Sequence, residues 1–367
     1  MRAVSQKKAA GVKIRAAPTS RVRFALSRTP YGLGGPVSDA TLSDAPPARL
    51  STVETDAIAA VAARLQANVE RVIVGKSDVV RLALVALLCE GHILLEDVPG
   101  IGKTTLAKAM ARSLGCTFRR IQFTPDLMPS DITGIQYYNQ KQGEFVFREG
   151  PLIAQVVLAD EINRATPRTQ AALLEAMEER QLTVEGETIT LPRPFLVLAT
   201  QNPVELEGTF PLPEAQLDRF LLRLRLGYPD ESDEEEILAR FETASPLETL
   251  GPVVTAGELA HLADSLRRLH VAPSVRNYVV KLVRATRDEA AFELGASPRA
   301  SLALFRAARA HAAIEGRDYV LPDDVKAMAP HVIPHRLILS TQARLRGRET
   351  DEILAEILEQ VPVPIEA

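Results

Sequence analysis

Tryptophan is absent from this chain, cysteine occurs twice, and no apolar run exceeds the eight residues Leu82–Cys89. A membrane-spanning helix needs about twenty apolar residues, so no membrane span is expected. Cys89 and Cys116 are too few for a disulfide framework or a four-thiolate zinc site, which points to a reducing compartment and a cytoplasmic location. Aromatic residues are scarce at 5%, but hydrophobic residues reach 46% and charged residues 25%. That balance is ordinary for a folded, water-soluble chain. At about 150 residues per domain, a chain of 367 residues predicts two domains.

Charge is unevenly distributed. Residues 1–38 carry eight Lys and Arg and no acid, so the remainder holds 35 basic against 47 acidic groups, a net −12. Phosphate contacts need clustered cations, so a nucleic-acid partner is not expected. The basic segment has no secretory apolar core. It faintly resembles an organelle transit peptide, but reads better as a disordered arm or a start codon placed too early. Pro18, Pro30, Gly32, Gly34, Gly35, Pro36, Pro46 and Pro47 break regular structure there, so residues 1–50 are expected to form a disordered basic tail.

From Thr52 the texture changes. Ile58, Val61, Leu65 and Val69 recur at helical spacing, and residues 78–90 predict a second helix. Short apolar runs at 92–95, 118–123, 155–159 and 195–200 alternate with helical or loop segments, which predicts a mostly parallel sheet covered on both faces. Beyond Tyr228 strand signals nearly vanish. Ser232 or Asp233 is read as the N-cap of a helix over 233–243, followed by helices over 256–269, 274–289, 298–315 and 322–333. Two alternating segments with central turns, 132–152 and 180–194, the latter turning at Glu185–Gly186, read as hairpins.

The chemistry concentrates in "PGIGKTT", Pro99 to Thr105. A triphosphate is cradled by inward-turned backbone amides, and Gly100 and Gly102 permit the required positive φ. Ile101 separates them, Lys103 can reach the β and γ phosphates, and the Thr104 hydroxyl can take one position around Mg²⁺. The first glycine of the usual G-x-x-x-x-G-K-[ST] pattern is replaced by Asp97. A second apolar strand ends in Asp160 and Glu161, where one carboxylate can hold Mg²⁺ and the next can activate water. A third ends near Asn202, whose amide can orient that water. Arg219 follows it, and Arg299 stands just after Pro298 in a helix start; arginine suits the charge that develops on a transferring phosphoryl group. His331 and His335 are four apart, but Pro334 intervenes and no third ligand is near, so zinc is not expected.

The phrases "HILLEDVPGIGKTTLAKAMA", "IQFTPDLMPSDITG", "LADEINRATPRTQAALLEAMEERQLTVEG", "ATQNPVELEGTFPLPEAQLDRFLLRLRLGYP" and "GASPRASLAL" resemble the MoxR family of AAA+ ATPases, in the helix-2-insert clade, over roughly residues 52–367. The resemblance implies an α/β fold: a P-loop NTPase αβα core over residues 51–229, followed by a smaller all-helical lid over 230–367. It implies ATP and Mg²⁺ as cofactors. Pro99–Thr105 would be the Walker A loop, Asp160 and Glu161 Walker B, Asn202 sensor 1 and Arg299 sensor 2. Arg219 would be the arginine finger offered to a neighbouring subunit, with Arg164 and Arg168 as rivals, and Gln122 would restrain Glu161. Lys76 replaces a usual glutamine beside the adenine. The family further implies a homo-oligomer, a hexameric ring, whose ATP turnover remodels or matures a partner bearing a von Willebrand factor A domain, by metal insertion for example. The competing readings are a nucleotide-gated switch with slow turnover and a DNA motor, the latter disfavoured by the acidic body.

Overall fold

The computed structural model describes residues 49–141, 143–202, 208–242 and 245–364. Residues 1–48, the bulk of the expected basic tail, lie outside the described residues. Leu50 is buried in the main apolar cluster, so the folded body begins by that point.

Two helices precede the sheet, α1 (Thr52–Glu70) and α2 (Ser77–Leu88). Ser51 starts α1 with a capping box, its hydroxyl accepting from Glu54 N–H while the Glu54 carboxylate accepts from Ser51 N–H. The core elements then run β1 (Ile93–Glu96), α3 (Lys103–Ser113), β2 (Phe118–Gln122), α4 (Pro129–Thr133), β3 (Gly134–Asn139), β4 (Glu144–Glu149), β5 (Val156–Asp160), α5 (Pro167–Glu179), β6 (Gln181–Val184), β7 (Glu187–Thr190), β8 (Leu196–Gln201), α6 (Glu214–Leu217) and β9 (Leu222–Leu224). Five strands form one parallel sheet in the order β2-β5-β8-β1-β9. The apolar runs are continuous because both faces are covered. Along β1, β5 and β8, Ile93, Leu95, Val156, Leu158, Leu196 and Leu198 face one apolar cluster with α1–α3, while Leu94, Val157, Ala159, Val197 and Ala199 face a second with α5.

Both hairpins form as the alternation predicts. β3 pairs antiparallel with β4, and β6 with β7 across Glu185 (φ 50°) and Gly186 (φ 88°), two left-handed residues that match a tight hairpin turn. Tyr137, Tyr138 and Phe145 of the first hairpin are exposed.

The remaining chain is mainly helical: α7 (Glu231–Phe241), α8 (Ala256–Ser265), α9 (Pro273–Asp288), α10 (Pro298–Ile314), α11 (Pro322–Val332), α12 (Thr341–Leu345) and α13 (Thr350–Gln360). It also carries a small antiparallel pair, β10 (Phe292–Leu294) with β11 (Ile338–Leu339), strands too short for alternation to register. The N-cap of α7 is neither Ser232 nor Asp233. It is Asp230, extended at φ −77° and ψ 175° as a cap requires, whose carboxylate accepts from Asp233 N–H at 2.8 Å. The helix α10 packs against α1 and α2, so apolar residues of this region join the same cluster as one face of the sheet. Among the described residues no helix is long and apolar enough to cross a membrane.

Candidate active site

Parallel register brings the carboxyl ends of β1, β5 and β8 side by side, with Glu96 opposite Gln201. Ligands of open α/β sheets bind at that edge. The loop after β1 turns through Gly100 (φ 91°) and Gly102 (φ 95°) directly into α3, so an eleven-residue helix points its N-terminus at the site. Pro99, Gly100, Gly102, Lys103, Thr104 and Thr105 line a cavity of about 340 Å³, and Asp160, Glu161, Thr200 and Asn202 line it from the neighbouring strands. The Lys103 ammonium donates to the Asp97 and Val98 carbonyls at 2.7 and 3.1 Å. Its partial burial pulls the pKa down, against the pull of Asp97, Asp160 and Glu161. A polyphosphate would relieve that burial cost.

A network ties the two carboxylates. The Thr200 hydroxyl donates to Asp160 Oδ1 at 2.6 Å and accepts from Glu161 N–H at 2.8 Å. Arg120 grips Asp160 Oδ2 through Nε and Nη2 at 3.1 and 2.6 Å, and Nη2 also reaches Gln122 Oε1 at 2.7 Å. Gln122 in turn donates to Glu161 Oε2 at 2.7 Å, and Arg164 Nε lies 3.4 Å from the same oxygen. Glu161 itself adopts a left-handed conformation, φ 56°, unusual for a residue with a side chain. Arg120 and Thr200 carry no sequence signal of their own; only strand pairing, Arg120 opposite Leu158 and Gln122 opposite Asp160, places them here.

A second cavity of about 470 Å³ shares Pro99, Gly100, Gly102 and Thr105 with the first. Its far wall is apolar: Val72, Ile73, Leu226, Tyr228, Ile237 and Leu238, with Ile101 beside them. Such a slot suits a planar base. Lys76, noted in the sequence, lines it and donates to the Tyr228 carbonyl at 2.8 Å.

Arg219 and Arg299 are not in this cleft. Both contact one carboxylate, Arg219 Nε at 2.8 Å from Glu178 Oε2 and Arg299 Nη2 at 2.7 Å from Glu178 Oε1. They line a separate cavity of about 330 Å³ with Gly91, His92 and Asp218. Leu221 N–H donates to His92 O, and Leu222 is the partner of Ile93. Arg219 therefore stands at the amino end of β9, while the phosphate loop leaves the carboxyl end of β1. Roughly 13 Å of buried strand separates the two ends. Arg168 is exposed on the first turn of α5.

Residues 92–222 match the model of the ATPase family associated with various cellular activities (AAA), and residues 284–357 match that of the AAA lid domain. The YeaC protein of Bacillus subtilis is 50% identical over 299 residues, 82% of this chain and 93% of that protein. Chaperone MoxR1 of Mycobacterium tuberculosis is 44% identical over 306 residues, 81% of each. Protein MoxR of Methylorubrum extorquens is 32% identical over 83% of this chain and 95% of its own length. A crystal structure from Cytophaga hutchinsonii, described as that of a candidate ATPase, superposes with a TM-score of 0.80 at 38% identity, covering 85% of this chain and 98% of that one.

Proposed function

Because this chain belongs to the MoxR family of AAA+ ATPases, we propose that its ATP turnover drives a ring, hexameric by family resemblance, that remodels or matures a partner protein in the cytoplasm. The division into a basic tail over 1–50, a nucleotide core over 51–229 and a lid over 230–367 is part of this reading. ATP lies with its base in the apolar slot and its phosphates over Gly100–Thr105. Lys103 neutralises the β and γ phosphates, Glu161 takes a proton from the attacking water, and Asn202 orients that water. The Thr104 hydroxyl and Asp160 carboxylate are hard oxygen donors that fit Mg²⁺, which neutralises phosphate charge when bound. Asp160 is now held by Arg120, which would have to release it.

One observation supports a ring above all. Arg219 and Arg299 share Glu178 at the sheet edge opposite their own phosphate loop. Arginines placed there serve another subunit's γ-phosphate. The exposed aromatics of the β3–β4 hairpin offer a surface to a client, and family resemblance points to a protein with a von Willebrand factor A domain, with metal insertion as one outcome. The grip of Arg120, Gln122 and Arg164 on the acids favours a second reading, a nucleotide-gated switch that turns over slowly until a partner frees Glu161.

The test weighs the assembly. Glu161→Gln keeps the side-chain shape but cannot act as a base, so it should bind ATP, stall, and hold the ring. A mass of one 40.0 kDa chain under those conditions would refute the ring. An adhesion-type partner that raises the parental ATPase rate in proportion to partner remodelled supports the motor; stimulation without remodelling supports the switch.

A further inference from the structure

The loop position where a glycine is usual holds Asp97, and its surroundings explain why a carboxylate stands there. Asp97 Oδ2 accepts from Leu226 N–H at 2.5 Å, and Oδ1 accepts from Gly227 N–H at 3.3 Å. Its main chain faces the other way: its N–H donates to Gln201 O at 3.2 Å, and its carbonyl receives the Lys103 ammonium at 2.7 Å. One residue thus joins the end of β8, the phosphate-binding lysine, and the linker that leaves β9.

The linker turns at Gly227, whose φ of +64° is a left-handed conformation that glycine adopts without strain. Two residues on, Pro229 leads into Asp230, the cap of α7. The helix α7 buries none of its residues, and its Ile237, Leu238 and Phe241 form one wall of the base slot, opposite Pro99–Gly102. The linker into that wall is held by Asp97 at Leu226–Gly227 and by Lys76 at the Tyr228 carbonyl, while the far end of α7 is tied to α1 by Arg240, which donates to the Glu70 carbonyl at 2.6 Å.

We propose that Asp97 is a positioning residue that latches the β9–α7 linker to the phosphate loop, so that filling the phosphate cleft reaches the base slot and α7. A triphosphate competes with the Asp97 carbonyl for the Lys103 ammonium. Any settling of the loop that follows is carried to the linker by the Asp97 carboxylate. With glycine at 97 the phosphates would still be cradled, but the linker and α7 would no longer follow. The inference rests on the phosphate-loop reading alone, and needs neither the ring nor a client.

Asp97→Gly, Asp97→Ala and Asp97→Asn, compared with the parent, test it by calorimetry and by hydrogen exchange over residues 222–241. Without the latch the base slot loses its tie to the phosphate loop, which should weaken ATP by roughly tenfold. Inorganic triphosphate, which lacks a base, should lose less than about threefold. The KM for ATP should rise more than kcat falls, and nucleotide should cease to slow exchange at Leu226, Gly227 and the first turn of α7. Asp97→Asn keeps one acceptor oxygen and should fall between parent and Asp97→Gly. Asp97→Ala matching Asp97→Gly shows that the carboxylate, rather than loop stiffness, is responsible. Equal losses for ATP and triphosphate, or nucleotide-dependent protection of α7 that survives in Asp97→Gly, overturn the latch. Lys103→Ala serves as the separate check on the loop: if it binds ATP as the parent does, the phosphate-loop reading fails, whatever Asp97 does.

Discussion

Thr200 shows how much a single buried side chain can organise. Its hydroxyl has one proton to give and lone pairs to receive, and it spends them on Asp160 and on the backbone of Glu161, fixing both acids at one strand end. His92 is bound as completely. Nδ1 accepts from Val197 N–H at 3.1 Å, and Nε2 sits 3.0 Å from the Met177 carbonyl, which assigns a neutral ring with its proton on Nε2. Burial pulls its pKa down to about 4. His335 is held well below its usual value, and His331 is lowered, both chiefly by burial. Between pH 6.5 and 4 the unfolded chain therefore takes up protons that the folded chain refuses. Stability should be full above pH 6.5 and should fall as pH drops through that window, by up to about 1.4 kcal/mol per pH unit for each fully shifted histidine. Carboxylates add little from pH 8 to 5: Glu54, lowered to about 2 by the Ser51 N–H and then by Arg268, starts to lose its contribution only as pH falls below about 4.5. Melting temperatures across pH 8 to 5 check this, and a constant value from 7 to 5 would count against it.

Elements were legible where their pattern is long. The helices α1, α2 and α10 and both hairpins follow from apolar spacing of 3.6 or 2, and β1, β2, β5 and β8 from short apolar runs, whereas β9, three residues at the sheet edge, has too little pattern to be read. Residues that meet across the fold were not. Arg120, Thr200 and Glu178 join the sites only because strands 38 and 40 residues apart pair or because α5 ends beside α10, and no local pattern encodes that. The cap of α1 is an intermediate case, since Ser51 and Glu54 carry the capping-box spacing in plain view, yet apolar periodicity alone starts that helix later. Ser51→Ala should cost about 1 kcal/mol, seen as a lower denaturant midpoint at unchanged slope. Ser51→Asp, also a good cap, should cost much less. Equal losses for the two would show that the position matters for packing rather than for capping.

At the scale of the whole molecule, the place of the two arginines bears on whether a lone chain could hydrolyse ATP, and the question is open to a direct test. Arg219 lies at the amino edge of the sheet and the phosphate loop at the carboxyl edge, so a shift of a few ångströms would not join them. Arg219→Ala should therefore bind ATP like the parent and hydrolyse it about 10³ to 10⁵ times more slowly. Lys103→Ala fails for the opposite reason, because it cannot hold nucleotide but still presents Arg219. Each variant alone is inactive. Mixed, they create junctions where an intact phosphate loop meets an intact arginine, and activity should return in proportion to those junctions. At equal amounts about a quarter of the random junctions qualify, which sets the expected recovery if each junction fires alone. Mass measurement must first show that subunits exchange. With exchange proven, no recovery would mean that Arg219 does not act across a junction. Arg164, already 3.4 Å from Glu161 in its own chain, and Arg168 would then be the residues to exchange in its place.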